Sequence, residues 1–379
     1  FFHRSCFLRG VLEYTAAIHG IVCKCSLFLW LQRYEKMTGS QNIETLFKYF
    51  FQEVSLTEIF RNTNKSTIFA RKSFSLLQSD HLYYQLEIFY IRNAMTNIHI
   101  NHETCIRCKK CVRICPSALF TLNAEKQIEV CADSCIACGH CVAVCPTNSI
   151  SHSEFPEDKV HSFDRSQLPN ADQVELLIKS RRSNRAFSKE RIPEELLQRI
   201  VEAAHRAPTA TNAQEVKMVM VTNPEVLTAI SRLTIGTFMS IVNIVDNPLV
   251  KWILKPMIPS GYRYIPVFRQ LNDEFEKGND GILRGATAAI FFYTEKKARF
   301  GCQDCNLAYQ NASLMAEAEG VAHFYTGFVC SAAGMDRQNK VQKLLGIEGK
   351  IHAGIALGMP SFRFDKYIDK KEVSLIRID

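Results

Sequence analysis

The chain contains no uninterrupted apolar run of the about eighteen residues that a membrane-crossing helix needs. The two longest candidates are broken by charge: residues 7–32 by Arg9, Glu13 and Lys24, and residues 238–258 by Asp246, Lys251 and Lys255. No membrane span is expected from this reading. Proline is absent from residues 1–94, a stretch crowded with Phe that shows neither sustained helical periodicity nor turn punctuation. A GxGxxG following a strand is also missing, and with it a dedicated nicotinamide-binding domain. Cations are not clustered either: the formal charge of +8 comes from Lys and Arg spread along 379 residues. Such a surface suits an acidic redox partner, and no nucleic-acid interface is expected.

What the chain does have is cysteine. There are fifteen, and eight of them form two runs of one spacing: Cys105, Cys108, Cys111 and Cys115 before Pro116, then Cys135, Cys138, Cys141 and Cys145 before Pro146. A disulfide framework would need a secreted context, and zinc sites usually show paired CxxC rather than two four-cysteine runs ending in proline. The runs are identified as the C-x2-C-x2-C-x3-C-P pattern of bacterial two-cluster ferredoxins, whose thiolates hold [4Fe–4S] cubes. In that pattern the fourth cysteine of each run serves the other cluster. Three close cysteines wrap one face of a cube, and the proline turns the chain to send the fourth across. One cluster is thus assigned to Cys105, Cys108, Cys111 and Cys145, the other to Cys135, Cys138, Cys141 and Cys115. Oxygen-labile clusters favour a reducing cell interior, so a cytoplasmic location is expected. Cys302 and Cys305 form a CxxC without a second pair and read as free thiols; Cys6, Cys23, Cys25, Cys131 and Cys330 have no partner at a readable spacing.

Met95 opens an alternating strand that leads into the first cysteine run, so a two-cluster unit is expected over residues 95–150. Residues 1–94 form an N-terminal extension, read as upstream sequence. Residues 151–171 are polar, carry Pro156 and Pro169, and read as a linker. Over residues 172–379 helical patterns alternate with apolar strands. After Pro193, residues Leu196, Leu197, Ile200, Val201 and Ala204 fall on one helix face, while residues 215–222, 286–294 and 351–358 read as buried strands. With 47% hydrophobic residues the chain can bury at least one substantial core. The segment from Gly236 to Tyr264, apolar yet interrupted by charges, fits a lid or dimer-contact insertion.

Residues 180–187, SRRSNRAF, place Arg181, Arg182 and Arg185 within five positions. Three cations in a short loop repel one another unless an anion sits among them, and arginine forks with Ser183 as an extra donor suit a phosphate. Residues 206–223, RAPTATNAQEVKMVMVTN, follow with a Pro-Thr turn whose Asn212 and Gln214 can hydrogen-bond a flat heteroaromatic ring. Together these motifs resemble the FMN-dependent nitroreductase family, whose members carry an R-R-S-x-R-x-F start and an A-P-S/T-x-x-N-x-Q turn. Residues 304–328 look like that family's long central helix and flavin-side loop, and ALGMP at 356–360 looks like its closing strand. The resemblance covers about residues 172–379.

The resemblance implies an α+β protein: a small ferredoxin-like unit followed by a three-layer α/β domain with a mixed, mainly antiparallel sheet flanked by helices. It implies that Arg181, Arg182, Ser183 and Arg185 hold FMN phosphate and ribityl groups, with Lys370 or Lys371 completing the clamp. Pro208, Thr209, Asn212 and Gln214 would flank the isoalloxazine, and Tyr325, Thr326 and Gly327 would lie near its reactive nitrogen. Met359 stands where the family usually has Tyr, and His323 where a small residue is common; His323 reads as a packed histidine rather than a proton donor. A homodimer is implied. The expected function is an FMN-dependent oxidoreductase that draws electrons from a ferredoxin or flavodoxin, with NAD(P)H as the alternative donor. The electrons would pass through two [4Fe–4S] clusters to FMN and on to a nitroaromatic, quinone or activated alkene. The rival expectations are a non-enzymatic electron carrier or redox sensor, and a dehalogenase or flavin-modifying enzyme of the same fold.

Overall fold

A computed structural model describes residues 97–130, 134–257 and 259–378. The readings of Met95 and residues 1–94, and of Cys6, Cys23, Cys25 and Cys131, lie outside the described residues. The chain divides into two compact units between His161 and Ser162.

The first unit repeats one short motif. In chain order it holds β1 (Ile98–Ile100), α1 (Lys110–Ile114), β2 (Phe120–Leu122), β3 (Ile128–Val130), α2 (His140–Val144) and β4 (Ile150–His152). β1 pairs antiparallel with β4, and β2 with β3. Strands of three residues bury too little to stand alone. Their inward side chains, Ile98, Ile100, Phe120, Ile128 and Ile150, instead share a core with Cys111, Cys135 and Cys141. The repeat extends to the backbone: left-handed residues recur as Arg107 and Ala137, Lys109 and Gly139, and Ala118 and Asn148, each pair separated by the thirty residues that separate Cys105 from Cys135. Left-handed conformation is costly for non-glycine residues, so its repetition marks loops held by a common requirement.

The expected linker at 151–171 is structured at both ends. Ser151 and His152 complete β4, and Ala171 begins the first helix of the second unit. Ladder pairing with β1 and a capping box at Asn170 and Gln173 set these limits, where polarity alone suggested a connection.

The second unit contains α3 (Ala171–Ser180), α4 (Glu194–His205), β5 (Lys217–Val221), α5 (Pro224–Val245), α6 (Pro248–Met257), α7 (Pro259–Tyr262) and α8 (Ile265–Glu276). Then follow β6 (Ala288–Thr294), α9 (Gly301–Ala318), β7 (Ala322–Tyr325), α10 (Gly327–Met335), α11 (Lys340–Leu344) and β8 (Lys350–Gly358). The sheet order is β5-β6-β8-β7, and every neighbouring pair is antiparallel. β6 shows why its sequence is apolar without alternation. Ala289 and Phe291 join one core with α5, α10 and α11, while Ala288, Ile290 and Phe292 join a second core with α4 and α9. Both faces of the sheet are covered, which makes the three layers.

α5 is the one described helix long and apolar enough to cross a membrane by length and composition. Its Ile230, Ile235, Phe238 and Val242 are buried, and the Phe238 ring stacks on Phe268 of α8 at 4.3 Å. Gly236, where the expected insertion began, therefore lies inside a core-packed helix. The exposed apolar residues of that insertion sit on α6, where Leu249, Trp252, Ile253 and Met257 face solvent.

α9 crosses the second core on alanines. Ala308, Ala312 and Ala316 recur every fourth residue, all buried, and let the helix approach α4 and β8 closely. Beside it, His323 on β7 is fully buried; its ring Nδ1 lies 3.2 Å from the Val321 carbonyl, and its Nε2 has no hydrogen-bond partner among the described residues. His323 is thus a core residue.

Burial lowers the His323 pKa to about 4. The unfolded chain binds a proton at this side chain near pH 6.5 and the folded chain does not, so the stabilising effect of the neutral ring is complete above pH 6.5 and is lost as pH falls toward 4. His323→Leu removes that proton uptake. Denaturant unfolding of both proteins at several pH values should show the variant gaining stability relative to the parent as pH drops through this window, by roughly 3 kcal/mol at most. A difference independent of pH would mean that the ring is not held neutral.

Candidate functional site

The eight clustered cysteines line two clefts. One is walled by Cys115, Cys135, Cys138 and Cys141 together with Ile98, Phe120 and His152. The other is walled by Cys105, Cys108, Cys111 and Cys145 together with Ile100, Ile128 and Ile150. Each cleft takes three thiols from one run and the fourth from the other. Among the described residues no three Cys, His, Asp or Glu side chains converge closely enough to hold a single metal ion. Four sulfurs around one zinc would lie only about 3.8 Å apart at the usual bond length. Thiols spread over the walls of a cleft instead suit a cube with iron at separate corners.

The surroundings of the sulfurs fit the same group. Burial raises the pKa of Cys111 and Cys135 and pushes Cys141 up to about 11, so ionised sulfur there needs a cationic partner, which a cluster's iron would supply. Backbone N–H groups are aimed at the sulfurs: Leu119 donates to Cys115 Sγ at 3.4 Å, Ala137 to Cys135 Sγ at 3.3 Å and Ser149 to Cys145 Sγ at 3.3 Å. At Cys145 burial raises the pKa, but N–H and hydroxyl donors from Thr147 and Ser149 outweigh it and leave the thiol lowered. Ala137 is one of the left-handed residues, and in that turn its N–H meets the Cys135 sulfur.

In the second unit the arginine loop is held open and extended. Phe187 forms a bridge with Pro360, Ser188 N–H donates to the Met359 carbonyl at 2.8 Å, and Ser361 N–H donates to the Ala186 carbonyl at 2.9 Å. Asn184, which the sequence pattern did not single out, is buried and donates to the Phe362 carbonyl at 2.9 Å while accepting from Ala186 N–H. With the backbone so fixed, Arg181, Arg182 and Arg185 make no ion pair among the described residues. The Arg182 guanidinium lies 5.3 Å over the Phe364 ring and that of Arg185 5.5 Å over Phe324. Glu317 on α9 accepts from Arg182 N–H; burial nevertheless raises its pKa. The Arg181 charge lies close enough to Glu317 to oppose that rise, and Arg185 Nη1 donates to the Ser183 carbonyl at 3.4 Å.

The turn at 208–214 is the most distorted part of the unit. Thr211, Asn212 and Gln214 all take left-handed conformation, with φ of 52°, 53° and 53°, and none is glycine. Such strain persists only where neighbours over-determine it. Thr209 Oγ1 accepts from Gln214 N–H at 3.0 Å, and Asp304 Oδ1 accepts from Ala210 N–H at 3.2 Å. Asp304 is buried in the first turn of α9, and burial raises its pKa against the opposing effect of that N–H.

α9 therefore carries one contact for each part of the site. Asp304 holds the turn, Glu317 holds the arginine loop, and between them Tyr309 packs edge-on against Tyr325 at 4.7 Å. Arg181 and Arg185 lie close enough to Tyr309 to oppose the rise in its pKa that burial causes. Tyr325 ends β7 and donates to the His352 carbonyl at 3.1 Å, Thr326 N–H donates to the Gly354 carbonyl at 2.9 Å, and Gly327 begins α10. The residues around positions 181–185, 208–214 and 325–327 are thus tied to one helix. Lys370 and Lys371 are exposed on the C-terminal segment and make no hydrogen bond or ion pair among the described residues. That segment reaches the end of α3 through Tyr367, whose ring lies 5.5 Å from Lys179 Nζ. In the CxxC, Cys302 is exposed whereas Cys305 is fully buried, and burial pushes the Cys305 thiol up to about 12.

Residues 178–359 match the family model described as the nitroreductase family, and residues 98–152 match that described as a 4Fe-4S dicluster domain. No curated protein matches the chain. Similar solved structures include a nitroreductase with bound FMN from Bacteroides fragilis, 20% identical over 54% of this chain and 99% of that one, with a TM-score of 0.41. They also include a nitroreductase with bound FMN from Desulfitobacterium hafniense, 21% identical over 54% and 97% of the two chains with a TM-score of 0.41. A third is an FMN-dependent nitroreductase from Clostridium difficile, 19% identical over 55% and 100% with a TM-score of 0.40.

Hydrogen bonds from a guanidinium to a phosphate contribute about 1.5–3 kcal/mol each. Replacing both Arg181 and Arg185 by Ala should weaken FMN binding by at least about a hundredfold, read by titration of flavin fluorescence, with the iron content unaltered. Unchanged affinity would show that the arginine loop is not a phosphate site.

Proposed function

Because the chain carries a nitroreductase-family domain over residues 178–359 behind a 4Fe-4S dicluster domain over residues 98–152, we propose that it is an iron–sulfur flavoprotein oxidoreductase with its own electron relay. In this reading the two cysteine-lined clefts would hold two [4Fe–4S] clusters for electrons from a low-potential ferredoxin or flavodoxin, and the arginine loop would hold FMN for their delivery to a nitroaromatic, quinone or activated alkene. The observation that carries it is the crossed sharing of the two clefts, each lined by three cysteines of one run and the fourth of the other. When bound, the clusters supply single-electron steps and the flavin gathers them into a two-electron transfer.

The remaining work falls to side chains. Arg181, Arg182 and Arg185, with Ser183, neutralise a phosphate at the mouth of the extended loop. The strained turn, which Asp304 keeps from relaxing, would offer the Asn212 and Gln214 amides to the edge of a flat ring. The free N–H groups at the start of α10, beside Tyr325 and Thr326, lower the energy of negative charge on a ring nitrogen. A homodimer is the assembly that fits best. Its support is the C-terminal segment, where Ile368, Val373, Leu375, Ile376 and Ile378 are each at least 73% exposed and need an apolar cover.

The relay is tested by Cys108→Ala combined with Cys138→Ala. The variant should keep FMN, lose cluster absorbance and accept electrons from reduced ferredoxin at least tenfold more slowly, while dithionite still reduces its flavin. Ferredoxin-driven flavin reduction at the parent rate would remove the clusters from the electron path.

A further inference from the structure

The two halves of the cluster unit repeat in cysteines, strands and left-handed turns, but they differ inside: Ser149 stands where the first half has Leu119, and the buried His152 where it has Leu122. His152 ends β4 and is only 4% exposed. Its Nδ1 accepts from Glu154 N–H at 3.1 Å, which leaves that nitrogen without a proton. The proton of the neutral ring must then be on Nε2, and Nε2 lies 3.5 Å from Cys135 Sγ. The ring is fixed in this orientation by Phe155, whose centroid is 4.8 Å away and whose edge in turn fills the space beside Gly139. His152 therefore presents an N–H to a cysteine sulfur in a position that neither solvent nor rotation can easily disturb.

Thirty residues earlier, where the repeat has Leu122 in place of His152, no such donor is available. Leu122 is exposed at the end of β2, and its side chain offers no proton to Cys105. The asymmetry has an electrostatic consequence. Adding an electron to an iron–sulfur cluster increases the negative charge on its sulfurs, and a fixed N–H dipole aimed at one of them stabilises the reduced form.

We propose that His152 is a positioning residue for electron transfer, and that its hydrogen bond to Cys135 raises the reduction potential of the cluster held by Cys115, Cys135, Cys138 and Cys141. The inference rests on the reading that each cleft holds a cluster. The other cleft has side-chain donors of its own, the Thr147 and Ser149 hydroxyls at Cys145, so the two potentials are set by different groups, and His152 is the one that acts on the cluster of Cys135.

The test uses the full chain, reconstituted anaerobically, as wild type, His152→Leu and His152→Gln, with iron analysis and a potentiometric titration followed by electron paramagnetic resonance. Wild type should hold about eight irons, as two cubes require. His152→Leu should lower one of the two potentials by about 59 mV, a tenfold change in the one-electron equilibrium, and leave the other in place; His152→Gln, which keeps an N–H, should recover most of the shift. Full iron with both potentials unchanged in His152→Leu would overturn the role given to His152. Wild-type protein lacking iron would overturn the cluster reading itself, and the inference with it. Should His152→Leu fail to retain its cluster, the wild type decides: with nitrogen-15 histidine, the reduced protein should show nuclear coupling from one imidazole nitrogen, and its absence would overturn the proposal.

Discussion

Eight cysteine sulfurs in so small a unit can ionise together only with a partner for their charge. Strands of three residues bury little apolar surface, and the cysteines themselves supply part of the core with Ile98, Phe120 and Ile128. Burial raises the pKa of the innermost thiols, so the protein alone favours protonated sulfur there, while cluster binding demands thiolate. The crossing of the fourth cysteine then joins the halves: neither cleft is complete without a residue from the other run. Folding of the first unit and loading of its clusters are on this account a single event.

The second unit meets a different constraint with a different device. Its arginine loop, strained turn and helix start come from distant parts of the sequence, and each is fastened to α9. The alanines of that helix bring its axis close to the sheet, and Asp304, Tyr309 and Glu317 project from it toward the three segments. A single rigid element then sets the spacing between a cationic loop and a turn that could not hold its own conformation. Fixing these groups before a ligand arrives lowers the ordering cost of binding.

The sequence shows those parts of the design in which chemistry forces a spacing. Cysteine intervals follow from the shape of a cube, and three arginines in five residues are hard to explain without an anion, so both were visible. The buried strands were readable because both faces of the sheet are covered, which makes β6 apolar throughout. What stayed hidden depends on contacts between distant residues. Asp304 reaches Ala210 across 94 positions and Asn184 reaches Phe362 across 178, and no local pattern announces either. The strained residues Thr211, Asn212 and Gln214 carry no glycine to betray their conformation. His152 fell within a polar stretch that resembled a linker, and its meaning appears only when β4 pairs with β1 and turns the ring toward Cys135.

The central claim is that electrons reach the flavin by way of the clusters. Stopped-flow mixing of the anaerobic, fully loaded protein with reduced ferredoxin, followed at wavelengths that separate cluster from flavin absorbance, tests it most directly. The account predicts that cluster bleaching precedes flavin bleaching, and that the flavin signal rises with a lag set by the first phase. Flavin reduction that starts without a lag, while the cluster absorbance is unchanged, would contradict it.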